Sequence, residues 1–431
     1  MASLVTKISE AVQSPSERSK FAYKVMLAFS FLYYLRPSDV IPGLRTIPLA
    51  KITGAIAILA LLLGGKKGGP KKLPFEVKLL FAMFCWLILT VPFSSWRGNS
   101  LQVVVWQFSK TFIIPFTLVM TVSRMRELRR LIFVQAAGVA LMTMVSVLVN
   151  TRWNGRLAGI GNGLLSNPND LAMNIALNWP ICLVFLLTAR GMLKKILWGM
   201  AILTMIYAVM ATYSRAGFLA LSMAIALCLW EFALRGRRIH IIAVATLCVL
   251  LSVFLAPQNY SKRLETLVGQ DQAGDKDRGS AAARRALLIE SLKVTATHPV
   301  FGVGPGNFSS FTSTWMVTHN TYTEFSAECG IPALVMFLVL LQLAFRNVRR
   351  VRKSKLYDRR SDVQMFAGAL WASLVAYLIG ASFASTAYSL FPYYMVTYTI
   401  LLAKIAFPPV KERFGVAVKP VQVEERIYSP V

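Results

Sequence analysis

Charged side chains are scarce in this chain, and acidic ones are the scarcest. Only 15% of its 431 residues are charged, and 19 acidic residues stand against 47 basic ones. The hydrophobic share is 56%, and the mean hydropathy is +0.56. This composition excludes an ordinary soluble globular protein and predicts a polytopic membrane protein.

Cysteine and histidine are also rare. The five cysteines show no CxxC spacing and no pairing pattern, so we expect neither a disulfide framework nor a metal site. Residues 1–20 are polar and lack the pattern of a cleavable signal peptide, so targeting is expected to use internal spans. The chain has three histidines, and two of them fall in one polar insert.

Long uncharged runs divide the chain into membrane spans. A helix needs roughly 17–25 apolar residues to cross the hydrocarbon core of a bilayer. Twelve runs approach that length, at 21–35, 46–64, 77–95, 101–122, 131–150, 170–189, 195–213, 216–234, 239–256, 331–345, 363–385 and 390–407. The predicted fold is all-α, a transmembrane helical bundle of about twelve spans with a large, partly helical outer loop.

The basic residues fall in alternate loops, after the second, fourth, sixth, eighth and tenth predicted spans. The positive-inside rule places such loops, and with them both termini, in the cytoplasm. The net charge of +28 is then a topology signal that also favours contact with anionic membrane lipids, and we expect no nucleic acid partner.

Five regions follow from this topology. They are a cytoplasmic N-terminal segment at 1–20, spans one to nine at 21–256, a periplasmic loop at 257–330, spans ten to twelve at 331–407, and a cytoplasmic tail at 408–431. The polar residues gather at the outer end instead of the midplane, and no matching halves are visible. A secondary transporter built from internal repeats is therefore disfavoured.

Six arginines in the predicted outer loops are exceptions to the positive-inside rule. They are Arg36, Arg45, Arg97, Arg152, Arg156 and Arg215. Arg215 occupies a very short turn between two apolar helices, where a charge is costly and is usually functional or paired. The alternative is that the aliphatic part of the side chain lies in the apolar region while the guanidinium group reaches lipid phosphate or water. Asn169 or Asp170 is expected to cap the helix that follows the loop of Arg152 and Arg156.

The outer insert combines a helical segment with a glycine-rich turn. Counting by three and four along 280–296 places Arg284, Leu288 and Leu292 on one face. We expect an arginine on that face to point to the membrane surface or into a cleft. The alternative is that its aliphatic part packs while its guanidinium group reaches water. His298 stands before a proline at the helix end, which favours a structural turn position over a catalytic one.

His319 lies at the start of the helix that becomes the tenth span, where backbone N–H groups and the positive dipole end favour anions. Asn320 and Tyr322 follow it, and Glu328 precedes the break at Gly330. An interfacial histidine near arginines suits a general base or a ligand for a phosphorylated group. A simple N-terminal cap is the alternative.

Four segments together resemble the O-antigen ligase and O-antigen polymerase superfamily. They are NPNDLA at 167–172, SRAG at 214–217, an arginine near 284 followed by HPVFGVGPGNF at 298–308, and HNTYTEFSAECGI at 319–331. The resemblance covers roughly 155–345. It implies a GT-C-like membrane glycosyltransferase of the bacterial inner membrane that is inverting, metal-independent and free of cofactors.

Members of this superfamily take a glycan from undecaprenyl pyrophosphate and pass it to an acceptor on the periplasmic side. In a ligase the acceptor is the lipid A core, and in a polymerase it is another lipid-linked repeat unit. We expect the ligase-type reaction, with an O-antigen or exopolysaccharide polymerase as the alternative. A flippase or transporter for lipid-linked glycans is the non-enzyme alternative.

The resemblance also implies roles for individual residues. Arg215 and Arg284 look like the arginines that hold the pyrophosphate, and His319 looks like the catalytic histidine. Arg285, adjacent to Arg284, is an alternative phosphate ligand, and Arg156 is a further one. The expected supporting residues are Asn169, Asn320, Tyr322, Glu328 and His298. Leu288 departs from the family, in which many relatives carry an aromatic residue.

Overall fold

In this computed structural model the chain is a bundle of helices. The structure describes residues 17–35, 37, 43, 49–63, 73–160, 167–236, 275–312 and 315–408. Several predicted features lie outside the described residues. They are the span at 239–256, most of the glycine-rich segment at 159–163, the beginning of the outer insert, Arg36, Arg45 and the tail beyond residue 408.

Thirteen α-helices occur in the described ranges. They are α1 (Glu17–Leu35), α2 (Leu49–Leu63), α3 (Phe75–Thr90), α4 (Arg97–Gln102), α5 (Ser109–Thr121), α6 (Met125–Val149), α7 (Pro168–Thr188), α8 (Met192–Ala211), α9 (Arg215–Cys228), α10 (Asp275–Thr297), α11 (Thr321–Lys353), α12 (Asp362–Ala381) and α13 (Leu390–Ala406). The wide turns Val103–Phe108 and Leu229–Leu234 are π-helical; the first joins α4 to α5 and the second extends α9. A short antiparallel hairpin pairs β1 (Arg152–Trp153) with β2 (Arg156–Leu157).

Eight helical segments among the described residues are long and apolar enough to cross a membrane. They are Phe75–Phe93, Arg97–Thr121, Met125–Val149, Pro168–Thr188, Met192–Ala211, Arg215–Leu234, Thr321–Lys353 and Asp362–Ala381, and the shorter apolar helices Phe21–Leu35 and Leu390–Ala406 accompany them. The predicted all-α polytopic membrane fold is confirmed, whereas the count of about twelve spans and the GT-C-like arrangement stay predictions.

Helix α7 lies at the centre of the bundle, packed against α6, α8, α9 and α12. Its side chains are buried continuously from Leu171 to Phe185. Gln135 of α6 donates to Asn178 of α7 at 2.8 Å, and the Tyr398 hydroxyl of α13 donates to Gln135 at 2.5 Å. Because unsatisfied polar groups are costly in lipid, these hydrogen bonds fix how the three helices align.

The two ends of the bundle differ in chemistry. At one end Arg129 pairs with Asp362, and Glu231 pairs with Arg235 and Arg352. These ion pairs join the ends of α6, α9, α11 and α12 that carry the predicted cytoplasmic loops. We call this the basic end. The four motif segments lie at the opposite end of the bundle.

Candidate functional site

The outer helix α10 packs along α11 and carries Arg284. Its buried side chains include Leu287, Ser291 and Val294, and Thr295 Oγ1 lies 2.8 Å from Ser326 Oγ of α11. Arg284 stands one turn before this buried row and is half-buried, whereas Arg285 is exposed.

The face of α10 that packs against α11 differs from the apolar face that the periodicity count singled out. Leu288 is 37% exposed and Leu292 is 52% exposed, so neither belongs to the buried row. Contact with α11 determines which face is covered, and the covered apolar cluster includes Ala327 of that helix. Arg284 lies on the covered side even though its predicted apolar neighbours do not.

The glycine-rich turn after α10 is clamped between α11 and the corner that precedes α4. Val303 N donates to Ala327 O at 2.9 Å, and Gly304 N donates to Glu328 O at 2.8 Å. Asn307 Nδ2 donates to Ser94 Oγ at 2.6 Å on the other side. Gly304 has φ +101, and a Cβ there would collide with the Ser94 side chain. The turn therefore needs glycine for both its conformation and its close approach.

Glu328 holds the same turn with its carboxylate. It accepts hydrogen bonds from Gly306 N at 2.6 Å, from Phe308 N at 3.1 Å and from the Tyr388 hydroxyl at 2.5 Å. Gly330, two residues later, has φ 80 and ψ 168 and interrupts the helix as the sequence predicted. These contacts make Glu328 a support of the turn.

His298 lies just beyond the end of α10 and is exposed. Its Nδ1 is 2.9 Å from Thr297 Oγ1, and its ring meets the edge of Phe311. It stands fourteen residues after Arg284 on a nearly continuous helix, which is about 20 Å at 1.5 Å per residue. The structure therefore places His298 at a turn that is remote from Arg284.

Arg215 is the first residue of α9 and follows two special positions. Tyr213 has φ +49, and Ser214 is the N-cap whose hydroxyl accepts from Gly217 N at 3.2 Å. A Cβ on Gly217 would collide with the Cβ of Ala172 in α7. Two of the motif segments, at 167–172 and 214–217, are thus in direct contact.

Arg156 connects the same two segments. Its Nε donates to Thr212 O at 2.7 Å, and one Nη donates to Asn169 Oδ1 at 2.8 Å. Arg152 instead donates to Asn150 and Gly155 within its own hairpin. Arg156 and Asn169 therefore position the turn that presents Arg215.

The predicted cap of α7 is corrected. Asn167 is the N-cap, and its side chain accepts from Asn169 N at 2.8 Å. Pro168 occupies the first helical position, where a backbone N–H would have no acceptor within the helix, so the lack of an N–H in proline costs no hydrogen bond. The residue before the proline is therefore the cap, and Asn169 and Asp170 already lie in the first turn.

His319 precedes the N-cap of α11 in a left-handed conformation, with φ +51. Its backbone N–H donates to Ser385 Oγ at 2.9 Å. Asn320 is the cap and accepts from Tyr322 N at 2.9 Å and Thr323 N at 3.2 Å. The imidazole is thus not needed for capping.

The loop between α12 and α13 supports this helix start and was not predicted as part of the site. Thr321 Oγ1 donates to Ala384 O at 2.6 Å, and Ala387 N donates to Glu324 Oε2 at 3.0 Å. The Tyr322 hydroxyl donates to Leu378 O at 3.0 Å and ties α11 to α12. The signal in the sequence was a run rich in serine and threonine, SFASTAYS, between two apolar spans.

Electrostatics link three of the predicted residues. Burial and then the charge of Arg284 lower the pKa of His319 below its ordinary value of 6.5. Burial and then the charge of Arg215 lower the pKa of Arg284. Arg215, Arg284 and His319 therefore share one electrostatic environment, which favours the neutral imidazole of His319. We call these three residues the Arg-Arg-His cluster.

The cluster combines two cations with a neutral imidazole at one end of the bundle. Guanidinium groups bind phosphate oxygens through paired N–H donors, and a neutral imidazole can accept a proton. Within the described ranges, no group of three or more His, Cys, Asp or Glu side chains could hold a metal ion.

Comparison with known proteins bears on the region that contains this cluster. Residues 200–338 match the family model described as O-Antigen ligase. Arg215, Arg284 and His319 all fall inside the matched range. No curated protein matched the chain. This match supports the predicted resemblance to the O-antigen ligase and polymerase superfamily over residues 200–338.

Proposed function

We propose that this chain transfers a glycan from undecaprenyl pyrophosphate to the lipid A core at the periplasmic end of the bundle, with inversion at the anomeric carbon. The electrostatic linkage of Arg215, Arg284 and His319 carries this proposal. Polymerisation of lipid-linked repeat units is the alternative reaction for the same cluster.

Arg215 and Arg284 act on the leaving group in this proposal. Negative charge grows on the pyrophosphate as its bond to the sugar breaks, and fixed guanidinium groups stabilise that charge. The charge of Arg215 disfavours the charged form of Arg284, so an anion between the two arginines relieves their repulsion.

His319 acts on the acceptor. The acceptor hydroxyl attacks the anomeric carbon from the face opposite the pyrophosphate, and the imidazole accepts the hydroxyl proton. The bond between the anomeric carbon and the phosphate oxygen breaks, and undecaprenyl pyrophosphate leaves with the electron pair. The products are the glycosylated acceptor, the free carrier lipid and an imidazolium that returns its proton to water.

Arg156 has a positioning role in the proposal. Its Nε and one Nη already donate to Thr212 and Asn169. These hydrogen bonds hold the turn that ends in Arg215, so Arg156 contributes to catalysis through the placement of that residue.

The test uses the purified full chain in liposomes with a lipid-linked glycan donor and a lipid A core acceptor. We expect His319→Ala and Arg215→Ala to abolish transfer while the apparent melting temperature stays close to that of the wild type. Normal transfer by either variant would contradict the proposal. Movement of labelled donor across the vesicle without any product would instead favour a flippase.

A deletion strain distinguishes the two acceptors. Loss of all long-chain glycan from the lipopolysaccharide core is expected for a ligase. A core that carries a single repeat unit would identify a polymerase.

A further inference from the structure

Two neighbouring cavities open at the basic end of the bundle, away from the Arg-Arg-His cluster. One has a volume of about 360 Å³ and the other of about 670 Å³. Arg235, Arg352 and Lys353 line both of them. We call the two together the basic cavities. The ends of α9 and α11 meet there with the segment that leads into α12.

The lining of the cavities is strongly cationic. The charged residues lining the smaller cavity are Glu231, Arg235, Arg352, Lys353, Lys355, Arg359 and Arg360, and the larger cavity adds Arg346 and Arg349. Among the described lining residues, Glu231 is the single acidic side chain. The surplus of positive charge predicts a ligand with at least one negative group.

Glu231 forms ion pairs with two of the arginines, but one carboxylate does not neutralise the positive charge of the other basic residues that line the cavities. Arg235 donates to its carboxylate at 3.1 Å, and Arg352 donates to it at 2.5 Å. The Arg352 guanidinium also lies 3.9 Å from the centre of the Trp371 ring. Arg359 donates to the carbonyl of Arg235. Two arginine side chains are thereby held by one carboxylate and a third by a backbone carbonyl beside it, which makes a preorganised cationic site.

The larger cavity has an apolar wall as well as a cationic one. Leu343, Phe345 and Trp371 line it beside Arg346 and Arg349. A small inorganic anion would leave this wall uncovered. A ligand with a phosphate and a hydrocarbon chain satisfies both surfaces, because the chain covers apolar area and the phosphate meets the cations.

We propose that the basic cavities bind one anionic phospholipid of the adjoining leaflet. Its phosphate lies among Arg349, Arg352 and Lys353, and its acyl chain lies against Leu343 and Trp371. The positive-inside rule makes this the cytoplasmic leaflet. The site is independent of glycan transfer because it uses none of the residues of the Arg-Arg-His cluster.

Binding to the purified full chain in detergent tests this proposal, with phosphatidylglycerol, phosphatidylcholine and inorganic phosphate as separate probes. Bound lipid is counted by native mass spectrometry, and affinity is measured from the rise in melting temperature. We expect phosphatidylglycerol to bind and stabilise the protein, whereas phosphatidylcholine and inorganic phosphate have little effect. The double variant Arg349→Gln/Lys353→Gln should bind phosphatidylglycerol about tenfold more weakly or worse.

The matched control is Lys194→Gln/Lys195→Gln. These exposed lysines lie at the same end of the bundle, at the start of α8, and outside both cavities. An equal loss of binding in both double variants would overturn the proposal, because it would indicate general surface attraction. Equal binding of phosphatidylcholine, or competition by inorganic phosphate at similar concentration, would also overturn it. If the double variant fails to fold, the single variant Arg346→Gln serves as the test, with a weaker but selective loss expected.

Discussion

The backbone N–H of His319 donates to the hydroxyl of Ser385 at 2.9 Å, although 66 residues separate them in sequence. His319 has φ +51, a left-handed conformation that is uncommon for residues other than glycine. Ser385 also lies 3.0 Å from Thr318 Oγ1. The α12 to α13 loop therefore holds the histidine in an otherwise unfavourable backbone geometry.

Replacing Ser385 by alanine should lower kcat for glycan transfer about tenfold, because a displaced imidazole is poorly aligned with the acceptor hydroxyl. The KM for the lipid-linked donor should change little, since the two arginines are untouched. Ser385→Thr keeps a hydroxyl and should recover most of the activity. Ser382→Ala, in the same loop, removes only a bond to its own helix and should behave as the wild type.

Arg284→Gln should lower transfer about a hundredfold, since it removes one cation from the leaving group. Arg285→Gln should stay within about threefold of the wild type because Arg285 is exposed on α10. Initial rates of the two purified variants make the comparison. Equal losses of activity in the two variants, or a larger loss for Arg285→Gln, would contradict the assignment of the phosphate contact to Arg284.

The pKa of His319 should lie below 6.5 and should rise when Arg284 is replaced by glutamine, because a nearby positive charge favours the neutral imidazole. Nuclear magnetic resonance of labelled histidine can follow this directly, since the chain has three histidines. In the proposed reaction the neutral imidazole accepts the proton, so we expect activity to fall only as the pH drops through this lowered pKa. A His319 pKa that is unchanged in Arg284→Gln would show that the two groups do not interact.

Gly217→Ala should destabilise the bundle by about 1–3 kcal/mol, because the new methyl group collides with Ala172 and separates α9 from α7. Gly199→Ala is the control. It adds a methyl group to the helix α8 where nothing lies within 4 Å, and should be neutral or slightly stabilising. Apparent melting temperatures of the detergent-solubilised variants give the comparison.

Ala172→Gly should restore part of the stability lost by Gly217→Ala, since it removes the colliding atom. A double variant no more stable than Gly217→Ala would show that the contact between α7 and α9 is not the cause.

Local patterns in the sequence predicted the helical membrane fold and singled out Arg215, Arg284 and His319 as candidate site residues. Apolar runs of span length need no distant partner to become helices in a bilayer, and Gly330 interrupts α11 where expected. Asn167 could also have been recognised as the cap of α7, because Pro168 follows it at the first helical position.

Features that depend on packing were not predictable in the same way. The covered face of α10 is set by Ser326 and Ala327 of α11, which a periodicity count along α10 does not include. Ser385 could not be connected to His319, because a serine-rich loop between two spans carries no information about its distant contacts. The partners of Glu328 depend likewise on a turn that folds back onto the helix.

Glu328 also helps to fix the position of the glycine-rich turn relative to α11. Two of its three hydrogen bonds, those from Gly306 N and Phe308 N, would be lost if the turn at 302–308 lifted away from α11, whereas the bond from the Tyr388 hydroxyl does not depend on the turn. Helix α10 runs directly into that turn and packs along α11, so the position of Arg284 is fixed relative to α11. A diphosphate on a lipid carrier has a set height, because its hydrocarbon tail stays in the membrane. A carboxylate that holds the turn therefore helps to keep the Arg284 guanidinium at a constant level relative to the helices beside which the proposed ligand would lie.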